Sequence, residues 1–167
     1  GRLVGWFQGA MEFGQRALGA RSILADPRDP QTKDRVNLAV KYREAFRPFA
    51  PAIVEERIPD YFDIDPGVTV PYMERVYPFR KEVRAAVPAV VHDDGSGRLQ
   101  GVSKETNPLF YDLIAAFDRL TGVPIVLNTS FNLNGEPIVC APEDAVRTFM
   151  TCGLTHLAIG PFLLAKP

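Results

Sequence analysis

At 167 residues, 46% of them hydrophobic, and with a formal net charge of −1, the chain has the size and apolar content of one globular domain. That balance carries no global bias toward nucleic acid or a membrane surface, and no apolar run reaches the roughly 18 residues of a membrane span. Cys140 and Cys152 stand at no metal-ligand spacing and no signal segment precedes them, so they read as reduced thiols of a cytoplasmic protein. The chain begins at Gly1 rather than Met, as expected of a fragment of a longer chain.

The first element is a short strand at Leu3–Phe7, rich in Val4, Trp6 and Phe7. A glycine-rich loop follows, with Gly9, Gly14 and Gly19 five residues apart. This is no dinucleotide fingerprint, and Ala20-Arg21 stand where a P-loop needs Lys and then Ser or Thr. Ser22–Ala25 reads as a second strand. Asp29 and Pro30 then supply an N-cap and first-turn proline for a helix over residues 30–43, ending where Arg47-Pro48 forces extended backbone. Phe49–Val54 is a strand, and residues 57–72, with Pro59, Pro66, Gly67 and Pro71, a surface excursion. Residues 73–87 give no clear period. Ala89–Val91 and Arg98–Val102 read as short strands about a turn at Asp93–Gly97.

The last third is more strongly patterned. Asn107-Pro108 opens a helix striped by Leu109, Phe110, Leu113, Ile114, Phe117 and Leu120, stopped by Gly122. Ile125–Leu127 is a buried-type strand that runs into the polar loop Asn128–Asn132. Pro142 to Met150 is a helix capped by Gly153, and Leu157–Ile159 and Phe162–Leu164 are closing strands. The order predicts an α/β domain on a mixed, twisted sheet.

Local charge carries the functional signal. The first 50 residues hold nine cations against five acids. Lys41, Arg43 and Arg47 are interleaved with Tyr42, Phe46 and Phe49 and braced by Pro48 and Pro51, which suits cations held in place against an anion. Arg43, beside Glu44, reads as surface. Arg16 and Arg21 lie in the glycine loop, and Arg98 follows the Asp-Asp-Gly-Ser-Gly turn. Asn128, Ser130 and Asn132 sit at the carboxyl end of a buried strand, where α/β sheets bind ligands and where alternate polar residues are placed to donate to phosphate or carbamoyl oxygens. A self-capping polar turn is the plain alternative. His92 and His156 have no partner at ligand spacing, so no metal site is expected; Cys140 reads as a buried small residue, and Glu12, Asp93 and Asp94 as solvated turn acids.

Four separated stretches, GWFQGAMEFGQRALGARSILADPRD, VNLAVKYREAFRPFAP, HDDGSGRLQGV and VPIVLNTSFNLNGEPIV, resemble the C-terminal domain of the O-carbamoyltransferase family of nodulation and antibiotic tailoring, over nearly the whole chain. The resemblance implies a single YrdC-like α/β domain, residues 1–167, with a twisted mixed sheet and flanking helices. It implies binding of carbamoyl phosphate and ATP, with Mg²⁺ on the ATP phosphates, and formation of carbamoyl-adenylate. An N-terminal domain of the same longer chain, which holds iron or another metal, then transfers the carbamoyl group to an acceptor hydroxyl. Matched to the motifs, Lys41, Arg47 and Ser130 take catalytic roles with Arg98 and Asn128 around carbamoyl phosphate and the developing adenylate, while Arg16 and Arg21 lie nearer the nucleotide phosphates. The chain departs from the pattern in the glycine loop, with Gln15, Ala20 and Ala10 where Pro, Asn and Arg are common, and these changes bear on the loop's share in nucleotide binding. Two other readings are a nucleotide-binding remnant without catalysis and an RNA-binding YrdC-like domain; the near-zero net charge disfavours the second.

Overall fold

The computed structural model describes residues 1–42, 44 and 46–166. Among the described residues nine strands and four α-helices follow one another as β1 (Val4–Phe7), β2 (Arg21–Ala25), α1 (Thr32–Val36), β3 (Ala50–Val54), α2 (Ile58–Tyr61), β4 (Val76–Pro78), β5 (Ser96–Arg98), β6 (Gln100–Val102), α3 (Pro108–Thr121), β7 (Ile125–Ser130), α4 (Pro142–Thr151), β8 (His156–Ile159) and β9 (Phe162–Ala165). Seven strands form one sheet in the order β6-β3-β7-β2-β1-β8-β9, and β4 and β5 pair separately. Within the large sheet β1/β8 and β3/β6 are parallel, whereas β1/β2, β2/β7, β3/β7 and β8/β9 are antiparallel. This is the mixed α/β sheet with flanking helices that the sequence pattern calls for. No helix among the described residues is long and apolar enough to cross a membrane.

The period of two along each strand divides the core in two. Ile125 and Leu127 of β7 face the larger cluster with Phe7, Ile23, Val36, Val40, Phe131 and Phe149. Val126 faces the smaller one with Trp6, Leu24, Ala52, Phe110 and Ile114, against α3. By the same alternation Asn128 and Ser130 belong to the α3 side of the sheet, beyond the end of its apolar cluster. β7 therefore runs through Ser130: the residues expected in a loop are strand residues, paired to β2 as Asn128↔Leu24 and Ser130↔Ser22. Alternation fixes their direction more firmly than a turn does.

Other elements differ from expectation for identifiable reasons. The helix predicted over 30–43 is only five residues of α-helix, followed by a wider π-helical turn at Asn37–Lys41. It stops at Tyr42, whose φ of 44° is left-handed and whose N–H closes on the Asn37 carbonyl at 2.7 Å. The extra residue in the turn turns Lys41 inward beside Val40, which a regular 3.6-residue period does not anticipate. Arg43 and Ala45 lie outside the described residues, so the expected surface position of Arg43 stays a sequence reading. Ala89–Val91 is not a strand; Pro88–Val90 buries Ala89 and Val90 in a 3₁₀ turn, a use of a three-residue apolar run that periodicity cannot separate from a strand. The run expected as one strand at Arg98–Val102 splits at the fully buried Leu99, β5 pairing with β4 and β6 with β3. Residues 55–61, partly assigned to the surface excursion, form a 3₁₀ turn and α2. Gly153 is required by packing rather than as a cap: a Cβ there meets Ala39, and its N–H bonds the Ala39 carbonyl at 2.8 Å.

The helix predicted from Asn107-Pro108 is present with its cap. Asn107 Oδ1 accepts from the Phe110 amide at 3.3 Å, Pro108 fills the first turn, and Gly122 at φ 74° ends the helix. Asn107 also donates to the Leu18 carbonyl at 3.3 Å, tying the helix start to the glycine loop. Replacing Asn107 with Ala removes both contacts and is expected to lower stability by about 1–2 kcal/mol in urea unfolding.

Candidate functional site: an anion cavity at the end of β7

The glycine loop is held from every side. Trp6 Nε1 donates to the Gly19 carbonyl at 2.8 Å, Gln100 Nε2 to the Leu18 carbonyl at 2.8 Å, and Asn128 Nδ2 to the Ala17 carbonyl at 3.2 Å. The loop's own donors are gathered by Glu12, whose Oε1 accepts from the Leu18 and Ala20 amides at 2.7 Å each and from the Arg21 amide at 3.4 Å. Glu12 is therefore a backbone clamp and not the solvated turn acid the sequence suggested. Gly19, at φ 111°, packs so closely on Phe110 and Asn107 that a Cβ has no room. The loop is thus a fixed wall, and it presents Gln15, Arg16 and Ala17 to a small cavity.

That cavity, about 90 Å³, is lined by Gln15, Arg16, Ala17, Met73, Arg98, Asn128, Thr129 and Ser130. Four residues singled out from sequence, Arg16, Arg98, Asn128 and Ser130, converge on it from three segments of the chain. Two arginines line it and no carboxylate does, so its field favours an anion. Its volume is far below the roughly 300 Å³ of a drug-sized pocket and suits a group the size of a phosphate or small acyl phosphate. Met73, buried and at φ 53°, closes one side and was not anticipated. Its excursion docks where the Gly101 amide bonds the Val70 carbonyl at 2.8 Å. Only its left-handed backbone marks it, and nothing in the sequence signals that.

Lys41 approaches Ser130 from the α1 side. It is 6% exposed, and its Nζ lies 2.6 Å from the Ser130 carbonyl, 3.2 Å from Ser130 Oγ, 3.0 Å from the Asn132 carbonyl and 2.7 Å from Asn132 Oδ1. Ser130 Oγ donates to Asn132 Oδ1 at 2.6 Å, and Asn132 Nδ2 to the Glu136 carbonyl at 2.7 Å. Lys41 thereby sets the position of the Ser130 hydroxyl and brings a positive charge to the strand end.

Arg21 and Arg47 fall elsewhere. Arg21 is 4% exposed, on the opposite sheet face, stacked 3.5 Å from the Phe7 ring centroid. Its guanidinium bonds the carbonyls of Gln8, Gly9, Ala20 and Cys140 at 3.0–3.4 Å. Burial pushes its pKa down from the ordinary arginine value, with Glu12 and Cys140 opposing. With its donors spent on backbone, Arg21 serves as a strut between the loop and the α4 entrance. Arg47 is exposed, pairs with Glu44 at 3.8 Å, and is not among the residues lining the cavity. Cys140, expected buried, is exposed; it is its carbonyl, accepting from Arg21, that turns inward.

The turn before Arg98 is closed by its own side chains. Asp94 Oδ1 accepts from the Ser96 amide at 2.9 Å and hydroxyl at 2.5 Å, and Ser96 Oγ lies 3.3 Å from His92 Nδ1. With its proton given to Asp94, the Ser96 oxygen accepts from His92 Nδ1–H, which leaves Nε2 buried without a partner. Burial holds the His92 pKa below the ordinary value of about 6.5. In the interval between the folded value and about 6.5 the unfolded chain binds the proton and the folded chain does not. Stability from the neutral ring is therefore complete above about pH 6.5 and declines as pH falls toward the folded value. Urea unfolding as a function of pH is expected to show that decline, and His92→Gln to remove it. Replacing Glu12 with Ala, which strands the loop amides, is expected to cost about 1–3 kcal/mol and to speed hydrogen exchange at Leu18 and Ala20.

Comparison with known proteins gives the family of the chain. Residues 1–166 match the family described as carbamoyltransferase C-terminus. The chain is 50% identical over 167 residues to the nodulation protein NolO of Bradyrhizobium diazoefficiens, covering 99% of this chain and 30% of that protein. It is likewise 50% identical to the nodulation protein NolNO of Sinorhizobium fredii, covering 99% of this chain and 25% of that protein. An uncharacterized protein of Methanocaldococcus jannaschii is 42% identical over 166 residues, 99% of this chain and 27% of its own length. The chain thus spans about a third or less of these relatives. A match that runs from the first described residue to the last, over a sheet whose strand ends build a cationic cavity, places the chain in the carbamoyltransferase C-terminal domain family.

Proposed function

We propose that this chain binds carbamoyl phosphate and ATP and forms carbamoyl-adenylate, which a further domain of a longer protein uses to carbamoylate an acceptor hydroxyl. The observation that carries this reading is the single cavity on which Arg16, Arg98, Asn128 and Ser130 converge. Arg16 and Arg98 offset the charge of the phosphate, and the Lys41-held Ser130 hydroxyl, together with Asn128, orients the small acyl group beside it. The cavity takes the acyl phosphate and leaves no room for a nucleotide, so ATP lies over its mouth, along the side bounded by Gln15 and Arg16.

The reaction balances with one water. Water cleaves carbamoyl phosphate to carbamate and phosphate, and a carbamate oxygen then attacks the α-phosphorus of ATP, forming the carbamoyl–phosphorus oxygen bridge and expelling pyrophosphate. No side chain of the chain is required to form a covalent bond. Its part is to place the two anions and to hold fixed positive charge where negative charge develops. Magnesium enters as an ion carried on the ATP phosphates, where such ions commonly rest with few protein ligands. Arg47 and Arg21 contribute no group to the cavity, and the reading does not rest on them.

The test is carbamoyl-phosphate-dependent release of pyrophosphate from ATP. Arg98→Ala and Ser130→Ala are each expected to lower it about 10²-fold in protein that is still folded at the assay temperature. Lys41→Ala is expected to lower both the release and the stability, because it also strands the carbonyls of Ser130 and Asn132. Unchanged release in Arg98→Ala and Ser130→Ala would overturn the assignment. ATP binding with no release in the parent would favour a nucleotide-binding domain without catalysis.

A further inference from the structure

Ser130 is half-buried and lines the anion cavity, with its side chain on the Asn128 side of the sheet. A serine hydroxyl can donate or accept, and its partners decide which. Here they do so without ambiguity. One end of the Asn132 amide lies 2.7 Å from the Glu136 carbonyl, which can only accept, so that end is Nδ2. The other end lies 2.7 Å from Lys41 Nζ, an ammonium that can only donate, so it is Oδ1. Two opposite partners thus fix the amide independently. Ser130 Oγ is 2.6 Å from that Oδ1, which has no proton to give, so the serine proton lies between them. Lys41 Nζ, 3.2 Å from Oγ, donates to the serine oxygen in turn. A hydroxyl oxygen has two lone pairs. With its proton held by Asn132 and one lone pair facing Lys41, Ser130 Oγ has one lone pair left, and toward a ligand it can only accept. The expectation that Ser130 donates to a phosphate or carbamoyl oxygen is reversed.

We propose that Asn132 is a positioning residue that holds the Ser130 proton away from the cavity, and that Ser130 Oγ accepts from the amino group of carbamoyl phosphate, selecting it over acyl phosphates that carry a methyl group in its place. This rests on the reading of the cavity as a carbamoyl phosphate site. Carbamoyl and acetyl phosphate share a phosphate and nearly share a shape, so Arg16 and Arg98, which can only donate, hold them alike. A fixed acceptor tells NH₂ from CH₃, because the methyl group leaves its lone pair unpaired. Turning the acetyl group about its ester bond does not help, since its carbonyl oxygen then meets a second acceptor. Asn132 is not among the residues lining the cavity, so it acts through Ser130.

Calorimetric titration of the protein with carbamoyl phosphate, acetyl phosphate and inorganic phosphate tests this. The parent is expected to prefer carbamoyl over acetyl phosphate by roughly tenfold. Ser130→Ala removes the lone pair and leaves both arginines. It is expected to weaken carbamoyl phosphate about tenfold and to keep the other two compounds within about threefold, so that the ratio falls toward one. A serine that donated to a ligand oxygen would instead weaken both acyl phosphates alike. Ser130 Oγ has no other acceptor among the described residues, so Asn132→Leu sets its proton free. The hydroxyl then donates to the carbonyl of a turned acetyl group as readily as it accepts from an amino group, and the ratio is expected to fall. Asn132→Asp keeps an oxygen for the proton, and its added charge acts on both acyl phosphates equally, so the ratio is expected to stay within about threefold of the parent. A merely structural role for Asn132 would not separate these two variants. Should Asn132→Leu fail to fold, Ser130→Ala and Asn132→Asp decide. Absence of binding by any of the three compounds would refute the functional reading itself. Equal binding of carbamoyl and acetyl phosphate by the parent, or equal loss of both in Ser130→Ala, would refute the acceptor role and leave that reading standing. A preference retained in folded Asn132→Leu, or lost in Asn132→Asp, would refute the part given to Asn132.

Discussion

The structure of the site depends on how the backbone of the glycine loop is satisfied. Residues 17–20 lie against the α3 side of the sheet, and the Ala17, Leu18 and Gly19 carbonyls turn toward side-chain donors that are buried or partly buried. Buried backbone groups must find partners. The Ala17, Leu18 and Gly19 carbonyls find Asn128, Gln100 with Asn107, and Trp6, while the amides of Leu18 and Ala20 find Glu12. Every one of these side chains belongs to a different segment. A loop rich in glycine, which in isolation has the most conformational freedom to lose, is held here by the side chains of Trp6, Glu12, Gln100, Asn107 and Asn128. The departures Gln15 and Ala20 fall within this frame: Ala20 contributes its amide to the Glu12 clamp and its carbonyl to Arg21, neither of which needs a side chain.

The same constraint sorts the cations. A buried guanidinium or ammonium must have its donors met. Arg21 meets them with four carbonyls and a ring face, and Lys41 with the carbonyls and side-chain oxygens of Ser130 and Asn132. Both therefore build the frame, and Lys41 adds charge to the strand end as well. Arg16 and Arg98 are partly exposed and line the cavity; in the proposed reading they face the phosphate of the ligand. The exposed pair of Arg47 with Glu44 is of the kind that contributes little to stability.

The aromatic and proline-braced run from Lys41 to Pro51 illustrates what pattern can and cannot convey. Its bracing is real at Phe49, Ala50 and Pro51, which enter the sheet as buried residues. Yet Phe46 remains exposed and the chain turns at Tyr42, before the prolines act. The left-handed Tyr42 and the π-helical turn that precedes it are local answers to a tertiary demand, the delivery of Lys41 to the end of β7. No rule of helix propensity or proline placement encodes that demand.

By itself the sequence determined the long, strongly patterned elements: α3 with its Asn107 cap and Gly122 stop, the apolar start of β7, α4, and the mixed α/β order. These are governed by contacts within a few residues, which spacing reveals. It also pointed to Arg16, Arg21, Lys41, Arg47, Arg98, Asn128 and Ser130 as companions, through motif resemblance. Only the tertiary structure decided which of them share a cavity, that Arg21 is a strut on the other sheet face, that Met73 closes the site, and that Gln100 accepts from the Asn128 amide. Those outcomes follow from pairing between strands distant in the chain and from the partners that buried polar atoms find there. Both depend on register and burial, which no stretch of sequence carries alone.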